Sequence, residues 1–360
     1  GGLKSSQIDV VALSRAGYPR SYYRNAAFTF GDVGKGEHRD LFSVLNRRRL
    51  SDPERVFEVR RMLSDNDVEP AQTYFYNHHK AHAVGTLFHT DWDDALLYTS
   101  DGGGDGIFYS ARRFADGRLE ELFGGEPDAR AILNRQRRQD SLGLMYYLVT
   151  EALGFRPMRH EGKVLGLAAF GEPVYQEELT RFWRLERDGQ IRGRKLIRHI
   201  RETIREMAAN GRREDLAASA QAVLEDITLQ SLSRIYERSA NKNLGLSGGV
   251  FANVKLTQRI AEKFPFEEIF VCPAMSDQGE AEGGVLEYLL ERDGMRTWLS
   301  KRERWGNLYL GRDYMSEADA VFEKGGAQRV ASGDVAETAA KLIIDGGIVG
   351  TYLGRCEYGP

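Results

Sequence analysis

An α/β fold is predicted for this chain of 360 residues on three observations. Strand-like runs alternate with helical ones. In the second half two consecutive units share one pattern: a strand at 244–247, a glycine turn and a helix from about Ala252, then a strand at 269–272, a loop and a helix from about Gln278. Strand–loop–helix units of this kind build sheets covered by helices, with ligands at the carboxyl ends of the strands. The length gives ample sequence for a buried core, in two domains or in one large duplicated one.

Taken in order, residues 8–13 (IDVVAL) read as a buried strand. Residues 53–63 read as a helix with Ser51 or Asp52 as its N-cap. Residues 95–99 (ALLYT) and 106–112 (GIFYSAR) flank a glycine-rich loop as two strands of a hairpin. Residues 141–153 are helical. The longest helix is expected at 214–239, where Leu216, Ala220, Val223 and Ile227 fall on one stripe. The Arg- and Lys-rich stretch 184–213 reads as a solvated helical face, because no aromatic residue is interleaved with the charges as a stacking platform. Composition turns charged and polar at 299–307, which places a domain boundary near residue 300. A strand at 308–310, helices at 316–324 and 335–345 and a strand at 347–353 are expected beyond it.

Lys and Arg number 50 against 53 Asp and Glu, a formal net charge of −3, which gives no ground for attraction to nucleic acid or to a membrane surface. The two cysteines, Cys272 and Cys356, stand far apart, so no disulfide framework is expected and a reducing cytoplasm is the default location. No apolar run reaches membrane-spanning length, and the opening GGLKSSQIDV lacks the apolar stretch of a signal peptide. The chain runs from a polar turn straight into a strand and stops at EYGP, as a piece of a longer protein would.

The chemistry concentrates in short patches. In NHHKAHA (77–83), His78 and His82 lie four apart, so on a helix both imidazoles project from one face. SDGGGDG (100–106) follows, and its Asp101 completes a mixed N/O donor set suited to a first-row metal such as Fe(II) or Zn(II). Surface or capping chemistry is the plainer reading of a His-x-x-x-His pair, and the glycine loop beside it favours the metal. That loop, with Gly102, Gly103 and Gly104, could also be a type I′ hairpin turn. Three consecutive glycines exceed what such a turn needs, which favours a ligand close to the backbone.

SGGVFAN (247–253) joins a strand to a helix, and its Gly248 and Gly249 would let backbone N–H groups approach a phosphate, with Asn253 at the helix start. PAMSDQGEAEGG (273–284) repeats the design and sets Asp277 at a strand end, as a fourth ligand or as a helix N-cap. Lys163, in EGKVLGLAAFGEP, would meet a phosphate as a point charge or simply stand in solvent. His79 neighbours the ligand pair as an outer support, a base or a solvent-facing residue. His38, His89, His160 and His199 read as structural.

The stretches YNHHKAHA, YTSDGGGDG, SLGLMYYLVTEALGF, EGKVLGLAAFGEP, LGLSGGVFANVKL, VCPAMSDQGEAEGG and GGIVGTYLGRCEYGP resemble, in this order, the O-carbamoyltransferases of natural-product biosynthesis, the family of nodulation-factor, cephamycin and aminoglycoside carbamoyltransferases. The resemblance implies a duplicated actin-like/sugar-kinase-like (ASKHA) α/β domain over residues 1–300. It implies the beginning of a YrdC-like carbamoyl-adenylate-forming domain over 301–360. Carbamoyl phosphate and ATP would give carbamoyl adenylate in the second domain, and the carbamoyl group would pass to a hydroxyl of a small-molecule or sugar acceptor in the first. Carried over residue by residue, His78, His82, Asp101 and Asp277 look like the metal ligands. SGGVFAN and DGGGDG look like the nucleotide cradle, with Mg accompanying ATP. Members begin with a hairpin bearing a Gly-His-Asp type motif and continue past EYGP with an Arg-Ala-Leu-Gly-Asn-Arg type segment, so both are expected outside these residues. Self-association as a homodimer is left open.

Overall fold

The computed structural model describes residues 7–24, 37–128, 140–326, 334–352 and 354–359. It divides into two compact units, 1–304 and 305–360.

The first unit is a mixed α/β structure. Its strands, in chain order, are β1 (Val10–Leu13), β2 (Gly17–Pro19), β3 (His38–Asp40), β4 (Gln72–Phe75), β5 (Asp94–Gly104), β6 (Ile107–Ala115), β7 (Arg118–Phe123), β8 (Trp183–Leu185), β9 (Ile191–Gly193), β10 (Asn243–Ser247) and β11 (Glu268–Val271). The main sheet has the order β11-β10-β5-β6-β7. Its first three strands are parallel, and β6 and β7 run antiparallel to their neighbours.

Alternation along β5 decides what lies on each face. Leu96 and Tyr98 join Leu244, Leu246, Met145 and the stripe Leu216, Ala220, Val223 and Ile227 in the larger core, under helices Leu142–Ala152 and Arg213–Ser239. Ala95 and Leu97 point the other way, with Phe114 of β6, onto Ala83, Val84 and Leu87 of the helix His78–Phe88. That helix lies so close to β10 that a Cβ on Gly245 would come within 2.6 Å of Thr86 Cγ2. A second helix, Glu280–Asp293, packs against His78–Phe88, and a Cβ on Gly283 would overlap the carbonyl of Ala81. The close approach explains the paired small residues in AEGG and KAHA.

A smaller core gathers Tyr23, Leu41, Val44, Leu45, Val56, Phe57 and Met62 beside the parallel pair β1–β4. Here one expected helix is divided. A 3₁₀ turn at Pro53–Arg55, capped by Asp52, is separated from the helix Val59–Ser64. Val56 and Phe57 between them are fully buried, Phe57 forms a bridge with Tyr23, and Glu58 N–H bonds the Tyr22 carbonyl. Tertiary burial of these two side chains takes the backbone out of helix.

The basic stretch 184–213 is helical only in part: its start is the antiparallel pair β8–β9, and the amphipathic helix Ile197–Asn210 follows with Ile200, Ile204 and Met207 buried and Arg201 and Arg205 3.5 Å from Glu151. Cys272 is buried and Cys356 exposed, both as free thiols. Among the described residues no helix is long and apolar enough to cross a membrane.

The second unit contains helices Met315–Lys324 and Val335–Ile344. The strands expected at 308–310 and 347–353 are not formed among its described residues; Leu353 lies outside them. A strand needs a ladder partner, and the backbone near Leu308 instead bonds the residues around Cys356. Gly311 N–H reaches the Cys356 carbonyl at 2.9 Å and Tyr358 N–H the Leu308 carbonyl at 2.7 Å.

Candidate metal centre

The strand periodicity that builds the core also builds the site. On β5, Thr99 and Asp101 follow Ala95 and Leu97 onto the face covered by His78–Phe88; on β10, Ser247 follows Gly245 onto it. The helix opens one turn above these strand ends. Asn77 caps it, its side chain accepting from Lys80 N–H at 2.9 Å. Asp105 accepts the His78 N–H at 2.9 Å and Glu287 the Asn77 N–H at 3.2 Å. Carboxylates therefore already match the positive end of this helix.

His78, His82, Asp101 and Asp277 offer one donor atom each, all within 4.8 Å of one another. His82 Nε2 lies 3.4 Å from Asp101 Oδ2; His78 Nε2 lies 3.9 Å from the same oxygen and 4.0 Å from Asp277 Oδ1. Metal–ligand bonds of about 2.1 Å put adjacent donors roughly 3 to 3.5 Å apart, so modest contraction would seat an ion. Both Nε2 atoms are buried without a hydrogen-bond partner, an arrangement that native interiors avoid unless something else is meant to satisfy it. Two imidazoles and two carboxylates suit a divalent first-row ion.

Other atoms of His82 and Asp101 are held by the strand ends. Ser247 Oγ lies 3.1 Å from His82 Nδ1. Gly249 N–H donates to Asp101 Oδ2 at 3.1 Å, and Gly102 N–H donates to its Oδ1. The glycine motifs thus spend two backbone donors on Asp101. Gly248 is in the left-handed region at φ 98°, and a Cβ there would overlap the Ser100 carbonyl.

In DGGGDG, β5 continues through Gly104, and the turn is only Asp105–Gly106, with φ of 52° and 74° as a type I′ hairpin requires. The register shifts between Ser100 and Gly104, so Asp101, Gly102 and Gly103 form a bulge that aims Asp101 at the histidines. At Gly103 a Cβ would come within 2.8 Å of the Phe108 ring, and at Gly104 it would overlap the His78 ring.

The charges of the cluster polarise one another. Burial opposes charge on His78, yet Asp101 and Glu280 outweigh it and raise its pKa well above the ordinary value. Burial likewise opposes the charge on Asp101, and His78 and His82 overcome it, holding the carboxyl well below its usual range. Asp277 is pushed up to about 6 by desolvation and then by Asp101. Its side chain keeps 65% of its surface, so it is a crowded carboxyl rather than a sealed one. His79 is 1% exposed, with Nδ1 2.6 Å from Thr99 Oγ1, which meets Ser110 Oγ at 2.7 Å. Burial, and then the charges of His78 and His82, hold it well below the ordinary histidine value.

Sequence reasoning missed Glu280, whose Oε1 lies 2.9 Å from His78 Nδ1, although it follows Asp277 by three residues in one motif. It also missed Ser247 as the support of His82, Asp105 as the anchor of His78, and Arg15, which pairs with Asp105 at 2.6 Å.

The other expected residues sit elsewhere. Asn253 caps Val254–Lys263, accepting from Leu256 N–H at 3.0 Å, and its amide bonds Gln221 at 2.8 Å. Lys163 lies in the helix Glu161–Ala168 with Nζ 5.8 Å from the Phe155 ring centre. Across the histidine helix from the cluster is a cavity of ≈ 440 Å³, where Arg15, Lys80 and Arg112 face Glu126, Glu291 and Glu121 at 2.5, 2.9 and 3.6 Å.

Residues 57–286 match the family model described as carbamoyltransferase N-terminus. The chain is 33% identical over 305 residues to nodulation protein NolNO of Sinorhizobium fredii, covering 82% of this chain and 42% of that protein. Nodulation protein NolO of Bradyrhizobium diazoefficiens is 31% identical over 295 residues, covering 79% and 51%. The chain spans about half the length of the curated relatives it matches. Among solved structures, full-length HypF in its phosphate- and nucleotide-bound form is similar over 79% of this chain and 56% of that one, at 14% identity and a TM-score of 0.42.

Proposed function

Because the chain belongs to the carbamoyltransferase family, we propose that it moves a carbamoyl group to a hydroxyl of a small-molecule or sugar acceptor, at a metal centre held by His78, His82, Asp101 and Asp277. The observation that carries the metal reading is the pair of buried, unpartnered Nε2 atoms facing Asp101. Fe(II) or Zn(II) fits the donor set. The donor in this reading is carbamoyl phosphate: water cleaves it to carbamate and inorganic phosphate, and a carbamate oxygen attacks the α-phosphorus of ATP, releasing pyrophosphate and leaving carbamoyl adenylate. The acceptor oxygen then attacks the carbamoyl carbon, the carbon–oxygen bond to the AMP phosphate breaks, AMP departs and the hydroxyl proton passes to solvent.

A bound divalent ion would supply Lewis-acid stabilisation to phosphate or carbamoyl oxygens. The protein's own part is placement. Gly102 and Gly249 hold Asp101, Ser247 turns His82, and Thr99 locks a neutral His79 beneath the ligand pair. In this reading the nucleotide lies against the turn at Gly248 and Gly249 and the bulge at Gly102–Gly104. The first unit corresponds to an actin-like/sugar-kinase-like domain, a reading supported by its sheet order β11-β10-β5-β6-β7. The second unit corresponds to the start of a YrdC-like domain.

Incubation with labelled carbamoyl adenylate, or with labelled carbamoyl phosphate and ATP, and a panel of hydroxyl acceptors tests the proposal. A carbamoylated product supports it. A phosphorylated acceptor would point to a sugar kinase, and nucleotide binding without product to a non-catalytic relative; either would overturn it.

A further inference from the structure

Glu280 opens the helix Glu280–Asp293 and is 4% exposed. Its position follows from the seam at Gly283 and Ala81. Each helix carries, one turn before that contact, a residue facing the cluster: Glu280 on one, His78 on the other. Glu280 Oε1 lies 2.9 Å from His78 Nδ1 and 3.6 Å from His82 Nε2. The same oxygen is sealed from water and accepts no well-aligned hydrogen bond. A buried carboxylate is costly unless it is paired, and among the described residues the two histidine rings lie within 4 Å of this one. Its distance to Nδ1 also leaves the other nitrogen of the His78 ring facing Asp101 and Asp277.

We propose that Glu280 is a positioning residue that keeps the His78 proton on Nδ1 and so presents the Nε2 lone pair to the metal. The inference rests on the metal reading of the cluster. Carboxylates that accept from the second nitrogen of a ligating histidine fix its tautomer and orientation and raise its basicity. Glu280, 2.9 Å from Nδ1, is placed to do this from inside the protein, whereas the more exposed Asp277 stands on the open side.

The test is a titration of the metal-free protein with Co(II), followed by its visible bands, for wild type, Glu280→Ala and Glu280→Gln. The ¹⁵N tautomer pattern of His78 in the zinc-loaded wild type accompanies it. Glu280→Ala is expected to weaken Co(II) binding about 10- to 100-fold with unchanged band intensity at saturation. Glu280→Gln, whose amide oxygen still accepts from Nδ1, is expected to retain most of the affinity. Equal affinity in all three proteins, a lower saturated intensity in Glu280→Ala, or a zinc-loaded wild type with the His78 proton on Nε2 would overturn the assignment. Where the alanine variant does not fold, Glu280→Asp, one methylene too short to reach Nδ1, replaces it with the same expected loss. A wild type that takes up no Co(II) is a different failure, that of the metal centre itself.

Discussion

Gly104 forms the floor beneath the His78 imidazole: a methyl group at residue 104 would overlap the ring. Two residues away, a Cβ on Gly102 would meet nothing within 4 Å. Gly104→Ala is therefore expected to displace His78 and lower metal affinity by about tenfold or more, with Gly102→Ala close to wild type. Calorimetric titration with Zn(II) reads the difference, and equal affinities for the two variants would refute this packing.

His82→Ala and Asp101→Ala each remove a donor from the cluster and should abolish stoichiometric metal in the purified protein. Ser247→Ala removes only the partner of His82 Nδ1, so its affinity should fall by about 10- to 100-fold without loss of the site. Normal metal content after either ligand substitution, measured by elemental analysis, would sink the assignment.

The metal-free cluster should respond to pH in a defined sense. His78 has a folded pKa above its ordinary 6.5, so its contribution to stability is full below that pH and is lost as pH rises through the folded value. Asp101 has a folded pKa below its ordinary 3.8, so its contribution is present above that pH and is lost as pH falls through the folded value. Between 3.8 and 6.5 both are present. Chelator-treated wild type should therefore lose Tm above this window, more than His78→Asn does. Parallel Tm curves for the two proteins would contradict the ion pairing. Metal affinity should run the other way, rising with pH as His78 gives up its proton.

Asp105 ties the hairpin to the helix through the His78 N–H and to Arg15. Asp105→Ala leaves a backbone donor and a mostly buried guanidinium short of a partner, which should cost about 1–3 kcal/mol. Arg15 retains Glu126, 2.5 Å away, so the loss stays below that of a fully orphaned charge. Urea unfolding measures it, and an unchanged midpoint would show that the anchor is dispensable.

Much of the first unit was legible because its signals are local. The buried stripe of Arg213–Ser239, the helix Leu142–Ala152 and the two strand–loop–helix units follow from local pattern alone. The convergence of His78, His82, Asp101 and Asp277 could be posed from spacing and strand-end placement, because alternation along β5 and β10 carries the right side chains to one face. What stayed hidden depends on partners distant in sequence. The break at Val56 and Phe57 comes from their burial against Tyr23, and the role of Glu280 from a helix crossing at Ala81 and Gly283. In DGGGDG the hairpin reading holds: the turn is a two-residue type I′ hairpin, and the extra glycines accommodate the bulge and the His78 ring. The strands expected in the second unit failed for a plain reason: an apolar run states a preference, and pairing decides.

Three of the proposed donors, His78, His82 and Asp101, lie within one stretch of the chain, and the fourth, Asp277, follows far later, past β10 and β11. During synthesis these three leave the ribosome long before Asp277 does, and until the second strand–loop–helix unit has docked they offer an ion an incomplete nest. In the proposed metal reading, uptake of an ion would therefore report a finished sheet. Because the ion adds stability only to the state that binds it, it would act as a late clasp, selecting chains whose last parallel strand has found its place.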